Sequence, residues 1–357
     1  MTLQEIANTR LQSQQLAKTA LKKLQDIVAY MGAIQAQDYP MAKWAIGARL
    51  PNSTDKQIEE AVNRGQIIRT HIMRPTWHLV SADDIWWMLE LVSPHMLSSL
   101  KSRQKELELD EKVFSKTHTI IGKVLNGHKH LTRDEIMAEL KKAKIALDPS
   151  RAIHIMYKAE ADGIVCNGIM KGKNHTYALL EERVKKPKGL TREEALAKLA
   201  LRYFTSHGPA TVQDFIWWSG LPAKDGRNAL DMIKSKLVSE SNGTETYWLS
   251  NSIKIQKNNS SVHLLPAFDE FIISYKNREA SIKLLHQKKA FTSNGIFKPI
   301  IVVNGQVTGI WKRSIKKDKV IIEPAFFDAK NKIPKSVIEK EASKFGKFLD
   351  KKVEIKN

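Results

Sequence analysis

Ile67-Ile68-Arg69-Thr70-His71-Ile72-Met73, then Arg74-Pro75, then Thr76-Trp77-His78-Leu79-Val80 follow one another without a break. β-Branched and aromatic residues on both sides of an Arg-Pro pair read as strand, turn, strand. Just upstream, Ser53 or Thr54 can cap a helix that runs to Arg64, carries Glu59 and Glu60, and stops at Gly65. Just downstream, Ser81-Ala82-Asp83-Asp84 can cap another. Further back, Leu16, Leu21, Leu24, Ile27, Val28 and Met31 recur at helical spacing and predict a buried helix face. Helices followed by a two-stranded wing make the winged form of helix-turn-helix, here over residues 1–95.

The pattern recurs. Over 110–183, Thr132-Arg133-Asp134-Glu135 is a capping box, and Pro149-Ser150 open a helix with Ile153, Tyr157 and Ala161 aligned. Ile164–Ile169 and Thr176–Leu180 then flank Lys171-Gly172-Lys173-Asn174 as a second wing. Over 190–250, Thr191-Arg192-Glu193-Glu194 caps a helix that reaches His207, Gly208-Pro209 breaks it, and Thr211-Val212-Gln213-Asp214 caps the next. A helix over 224–236 and a hairpin around Asn242-Gly243 complete the third unit. Gln256–Ser261 reads as a linker. The remainder, 260–357, is β-rich: strands at Val262–Ala267, Phe271–Tyr275, Ile300–Val303, Val307–Trp311 and Val320–Glu323, with a closing Lys-rich helix at Pro334–Leu349. The expected fold class is α+β and predominantly helical, with three tandem winged-helix units plus a β-rich C-terminal region. The competing reading is a helical protein with incidental hairpins.

Lys and Arg total 58 against 38 Asp and Glu, a formal net charge of +20 in 357 residues. Such a surplus points to a polyanion, either nucleic acid or an anionic membrane surface. The most apolar run, Ile85-Trp86-Trp87-Met88-Leu89, ends at Glu90, far short of the roughly 20 apolar residues of a membrane span. Met1–Leu16 is polar and holds no signal-peptide core. Cys166, the single cysteine, sits in an apolar run and reads as packed core. A cytoplasmic protein without disulfides or membrane anchor is expected.

No phosphate loop ending in Gly-Lys-Ser/Thr, no HExxH and no GxSxG occurs. His128 and His130 lack nearby acidic or sulfur ligands, so no metal site is expected there. Gln35-Ala36-Gln37-Asp38-Tyr39-Pro40 leaves two readings open. On a continuing helix, Gln35 and Gln37 would diverge and merely form a polar terminus. If the chain is already extended, both amides face one way, with a carboxylate adjacent. In the first wing, Thr76 and His78 share a face opposite Trp77, and Arg69, His71 and Arg74 add basic character. His78 could equally be a satisfied polar neighbour of core. Lys171, Lys173, Asn174, Lys312 and Arg313 are candidate phosphate contacts, or ordinary solvated surface. Trp86-Trp87 and Trp217-Trp218 read as core.

Five ordered blocks carry a family resemblance. They are Gln35-Ala36-Gln37-Asp38; Met73–Val80; Gly208-Pro209-Ala210-Thr211 with Phe215–Leu221; Leu264–Phe271; and Phe297-Lys298-Pro299 through Gly309–Arg313. Together they resemble the AlkZ-type winged-helix DNA glycosylases, whose sister branch, YcaQ-like, has Asp where this chain has Gln37. The resemblance implies three winged helices around double-stranded DNA, with Gln35 and Gln37 catalytic on the concave face. Asp38, Thr76 and His78 would be supporting residues. A hairpin approaching the lesion maps onto Ile300–Trp311, with Asn304, Gly305 and Gln306 at its tip. The implied activity is excision of alkylated purines by a monomer that needs no cofactor and joins the nucleoid when bound to DNA. Glutamine cannot act as a general base near neutral pH, but a purine alkylated at N7 or N3 already carries positive charge and leaves without protonation. A non-enzymatic regulator, contacting DNA near Lys224–Lys236, is the alternative, and a protein-interaction scaffold would leave the charge unexplained.

Overall fold

The computed structural model describes residues 1–257, 260–328 and 333–356. Thr2 and Glu5 cap each other reciprocally and start α1 (Leu3–Ser13), a helix that the polar composition of the N-terminus concealed. The helix face expected from Leu16 onward begins only at α2 (Leu24–Met31). Leu16 packs instead into the C-terminal core and Leu21 into that of the first unit, so their spacing reflects shared burial and not a shared helix. After α2 the chain is extended through β1 (Ile34–Gln35). Pro40 then sits in the first turn of α3 (Tyr39–Arg49), where its missing N–H costs nothing. Thr54 caps α4 (Asp55–Asn63), and β2 (Ile67–His71) and β3 (Trp77–Ser81) form the expected hairpin. These strands make an antiparallel sheet of order β1-β3-β2.

After the first hairpin, α5 (Ile85–Ser98) packs with Ile68 and Val80 and is followed by α6 (Lys101–Glu106); the stretch read as the second unit then contains α7 (Glu111–Leu125), β4 (Leu131–Thr132), α8 (Arg133–Lys142), α9 (Pro149–Ala161), β5 (Val165–Asn167), β6 (Thr176–Leu179) and α10 (Leu180–Arg183). The Thr132–Glu135 capping box forms as read. The third contains α11 (Arg192–Ser206), α12 (Val212–Ser219), α13 (Ala223–Ile233), β7 (Leu237–Asn242) and β8 (Glu245–Ser250), with its two capping boxes in place. Gly220 ends α12 at φ +68°, a left-handed conformation natural to glycine.

The C-terminal region holds β9 (Val262–Leu265), α14 (Glu270–Ile273), α15 (Leu284–Ala290), β10 (Ile300–Val303), β11 (Gln306–Ile315), β12 (Lys319–Phe326), α16 (Lys335–Leu349) and β13 (Lys352–Ile355). Its sheet runs β13-β12-β11-β10-β9. The strand expected over Phe271–Tyr275 is instead the short helix α14: Asp269 accepts from the Phe271 amide at 2.8 Å, and every residue of the helix is buried, which removes the polar face that would reveal a helical period. Of the expected linker, Asn258-Asn259 lie outside the described residues, as do 329–332 and Asn357 of the tail. With 47% helix and 19% strand, the fold is α+β and mainly helical.

The β1-β3-β2 sheet is sandwiched. One face (Ile34, Ala36, Leu79) shares a core with Trp44, Trp311 and Phe345, so the first unit and the C-terminal sheet are built around one interior. Trp44 and Trp311 each donate an indole N–H at 2.8 Å to consecutive carbonyls of β9, Leu264 and Leu265. Each buried large apolar side chain there stabilises the fold by on the order of 2 kcal/mol. The other side (Ala33, Ile68, Val80) packs with Tyr203, Phe215 and Trp218 of the third unit. A buried pair, Arg49 and Asp269 at 2.9 Å, ties α3 to the start of α14.

Candidate active site

Ile34 and Ala36 are buried in the core, and the chain is already extended at Gln35, so the glutamine pair does not end a continuing helix; Gln37 lies in the bend that follows. The segment is pinned by the register Gln35 opposite His78 and by the Ala36 amide donating to the Trp77 carbonyl at 2.6 Å. The glutamines differ sharply. Gln35 is only 5% exposed, and its side-chain oxygen Oε1 is buried without a hydrogen-bond partner, whereas Gln37 is exposed.

His78 stands between Gln35 and Thr70 in the three-stranded register. It is 1% exposed, and its Nδ1 lies 2.9 Å from the Thr76 carbonyl oxygen. A carbonyl only accepts, so Nδ1 carries the proton and Nε2 is left as an acceptor. Burial, with the Arg74 charge adding to it, pulls the His78 pKa down to about 4. The ring is therefore neutral at physiological pH. Thr70 and Thr76 each hold a buried hydroxyl oxygen without a partner. A run of unused polar atoms thus lies about Gln35, where buried polar groups are normally satisfied.

Beneath the strand is a residue that the sequence did not single out, Glu270. It is fully buried; Oε1 accepts from the Gln35 backbone N–H at 2.8 Å, and Oε2 accepts from Trp218 Nε1 at 3.2 Å and from the Ser274 hydroxyl. His207 Nε2 lies 3.7 Å away. Burial alone would raise the pKa of this carboxyl, but His207, Ser274 and the Gln35 amide outweigh it and hold the pKa at about 2. A fixed anion therefore sits directly behind Gln35. The available signal was the acidic pair Asp269-Glu270 inside the otherwise apolar run Ala267–Ile273.

The other candidates divide. Asp38 caps α3 through the Met41 amide at 3.2 Å and is 3.4 Å from Arg313, so its carboxylate is already engaged. Arg69 is buried, stacked 4.0 Å over Trp77, and donates to the Ala36 carbonyl at 3.3 Å, so it braces the glutamine strand. His71 is taken by Glu160. Lys173, Asn174, Arg69 and Trp77 line a cleft of about 420 Å³ between the first two units, while Lys171 pairs with Glu135 at 3.0 Å. The Asn304 carbonyl accepts from Gln4, Gly305 packs on Ala7 of α1, and Gln306 donates to the Ala280 carbonyl. The turn therefore packs on α1, with Asn304 itself exposed. The hairpin that does reach the glutamine segment is β11–β12, through Arg313 and Asp38, with exposed Lys312 beside it. Trp87 and Trp218 are core as read and Trp86 is half-buried, but Trp217 is exposed.

Cys166 is buried, and burial lifts its thiol pKa to about 12. Among the described residues no cluster of metal-ligating side chains occurs, and no helix is long and apolar enough to cross a membrane.

Comparison with known proteins identifies the family and the fold. The family described as "DNA glycosylase AlkZ-like" matches residues 28–348. The "Interstrand DNA cross-link repair glycosylase" of Streptomyces sahachiroi is 22% identical over 351 residues, covering 94% of this chain and 93% of that protein. The solved structure of Streptomyces sahachiroi DNA glycosylase AlkZ superposes with a TM-score of 0.83 at 19% identity over 100% of both chains, a likeness of fold. The protein is thus a hydrolase acting on N-glycosyl bonds in DNA. It belongs to the AlkZ-like DNA glycosylase family.

Proposed function

We propose that this enzyme removes purines carrying a cationic alkyl group at N7 or N3 from double-stranded DNA, with Gln35 facing the reacting sugar and Gln37 beside it. The observation that carries the reading is the Gln35 side-chain carbonyl oxygen, buried and without a partner. Leaving such an atom unsatisfied costs about 1–3 kcal/mol. That cost is relieved when an electron-poor centre or a donor enters the site. The oxocarbenium-like sugar formed as the base departs is such a centre, and the attacking water is such a donor. An amide oxygen aimed there stabilises the developing charge without reorganising. The anion of Glu270 behind the strand favours the same charge. Neutral His78 and the unpartnered Thr76 hydroxyl orient water or the adjacent phosphate; neither has to move a proton to the leaving group. A normal purine, which needs protonation to leave, finds no acid here and is spared.

The three helix-and-hairpin units are read as winged helices that embrace the duplex. Arg74, Lys173, Asn174, Lys312 and Arg313 are its phosphate contacts, with β11–β12 as the hairpin that nears the lesion. The enzyme works as a monomer, in the cytoplasm and on the nucleoid. The Streptomyces relative's name adds a second substrate class, the interstrand cross-link, in which cationic purines on both strands would be released in turn.

Base release from a duplex with a single N7-methylguanine tests the reading, comparing wild type with Gln35→Ala and Gln37→Ala at equal DNA occupancy. Loss of release in Gln35→Ala with binding intact supports it. Wild-type protein that binds yet releases no methylguanine or cross-linked purine above the spontaneous rate would overturn it.

A further inference from the structure

Trp217 is 41% exposed although it lies in an apolar run. Its indole N–H is already used, donating to the Ile273 carbonyl at 3.1 Å, so what remains available is ring surface. The guanidinium groups of Arg74 and Arg278 each lie 5.5 Å from the ring centroid, and Arg278 also packs 5.2 Å over Phe291. No ion pair among the described residues contains either arginine. Arg74 Nε is buried without a partner, and Arg278 reaches only backbone carbonyls, Ile272 at 3.0 Å and Lys276 at 3.5 Å. Asp214, whose charge reaches Arg278, is occupied by Arg10 at 3.8 Å and by the amides of Thr211, Lys276 and Asn277. Two half-buried cations that repel each other around one aromatic ring are costly unless an anion joins them. Trp217 is bonded to Ile273 of α14, the helix whose Glu270 accepts from the Gln35 amide, and Arg74 stands just before Thr76 in the hairpin whose His78 pairs with Gln35, so the cluster sits on the elements that hold Gln35.

We propose that Arg74, Trp217 and Arg278 bind one backbone phosphate of the damaged strand next to Gln35, with the exposed indole packed against the adjoining nucleoside. Guanidinium groups suit this because they grip phosphate oxygens through paired N–H donors, and an indole face accepts any base. The proposal rests on the reading of Gln35 as the reacting centre.

The test uses the full chain and a duplex holding a tetrahydrofuran abasic-site analogue, which cannot be hydrolysed. Affinity is measured from about 50 to about 200 mM salt. In Arg278→Gln the slope of log K against log salt shrinks by about 0.9, as expected when one phosphate is no longer neutralised. Arg278→Lys keeps the slope but binds roughly tenfold more weakly, since the charge survives and the paired hydrogen bonds do not. The quenching of tryptophan emission on adding DNA is lost in Trp217→Phe. Slope and quenching equal to wild type, in variants with wild-type melting, overturn the proposal; should Arg278→Gln fail to fold, Trp217→Phe decides. Base release is scored separately. A wild type that binds with the full slope but releases no alkylpurine refutes the role of Gln35 and leaves the phosphate site standing, whereas active variants with unchanged slope refute the phosphate site alone.

Discussion

The backbone amide of Gln35 donates to Oε1 of Glu270 at 2.8 Å, across 235 residues of sequence. The bond holds the strand by its main chain and leaves the Gln35 side-chain oxygen free of partners. The side chain is thereby set in place without being used up, as its proposed role of preorganised electrostatic group requires.

Glu270→Gln keeps the size of the side chain and removes the anion. Its new NH2 group must face the indole N–H of Trp218 or the amide of Gln35, donor against donor. Melting should show a loss of about 1–3 kcal/mol, the cost of a buried group deprived of its partner. Base release under saturating enzyme should fall at least about tenfold while DNA affinity holds, because the variant touches charge at the sugar and not phosphate contacts. An unchanged single-turnover rate in folded Glu270→Gln would show that the carboxylate only braces the strand.

Burial separates the two glutamines. Gln35 works in a low-dielectric setting and Gln37 beside solvent. Gln35→Ala should therefore cost about 100-fold in single-turnover release, the scale of losing a preorganised group, and Gln37→Ala roughly tenfold or less. Equal losses would contradict the assignment of Gln35 as the residue nearest the sugar.

Gly305 has φ +80°, and a Cβ there would stand 2.9 Å from the Cβ of Ala7. Gly305→Ala should destabilise by about 1–3 kcal/mol and leave the salt slope of DNA binding alone. At the exposed turn of β11–β12, Lys316→Gln with Lys317→Gln should do the reverse, reducing the slope by about 0.9 for each phosphate that its lysine neutralised. Thermal melting and salt-dependent binding of both variants distinguish the packing turn from the one proposed to face DNA.

Features written in a few adjacent residues were legible. The capping boxes Thr132–Glu135 and Thr191–Glu194, the Asn304-Gly305 turn and the β2–β3 hairpin all follow from local chemistry. Features made by distant partners were not. α1 looked like a polar tail because Arg10 and Gln14 are buried against Pro209 and Tyr275, far along the chain. Asn304-Gly305 was correctly a hairpin, yet what its tip packs on depends on α1. The glutamine pair was singled out, partly through family resemblance. The carboxylate behind it was not, since nothing near Glu270 in sequence announces Gln35.

The acid side of the stability profile should carry the signature of His78. Its pKa in the folded state is about 4 against an ordinary value of 6.5, so the unfolded chain binds the proton more tightly. Stability from this group is complete above pH 6.5 and is lost as pH falls toward 4, by about 3 kcal/mol in all. His263, pulled to about 4 by burial, acts in the same direction. Glu270, held at about 2, extends the loss below its ordinary value of 4.5. His78→Asn retains a donor for the Thr76 carbonyl but cannot titrate, so its melting temperature should decline less steeply between pH 6.5 and 4 than that of wild type. Matching slopes would remove His78 from the account. Base release should meanwhile stay level from about pH 6 to 9, because a cationic purine departs without a proton and neither His78 nor Glu270 changes charge in that range; a bell-shaped profile centred near neutrality would mean that a general acid or base acts after all.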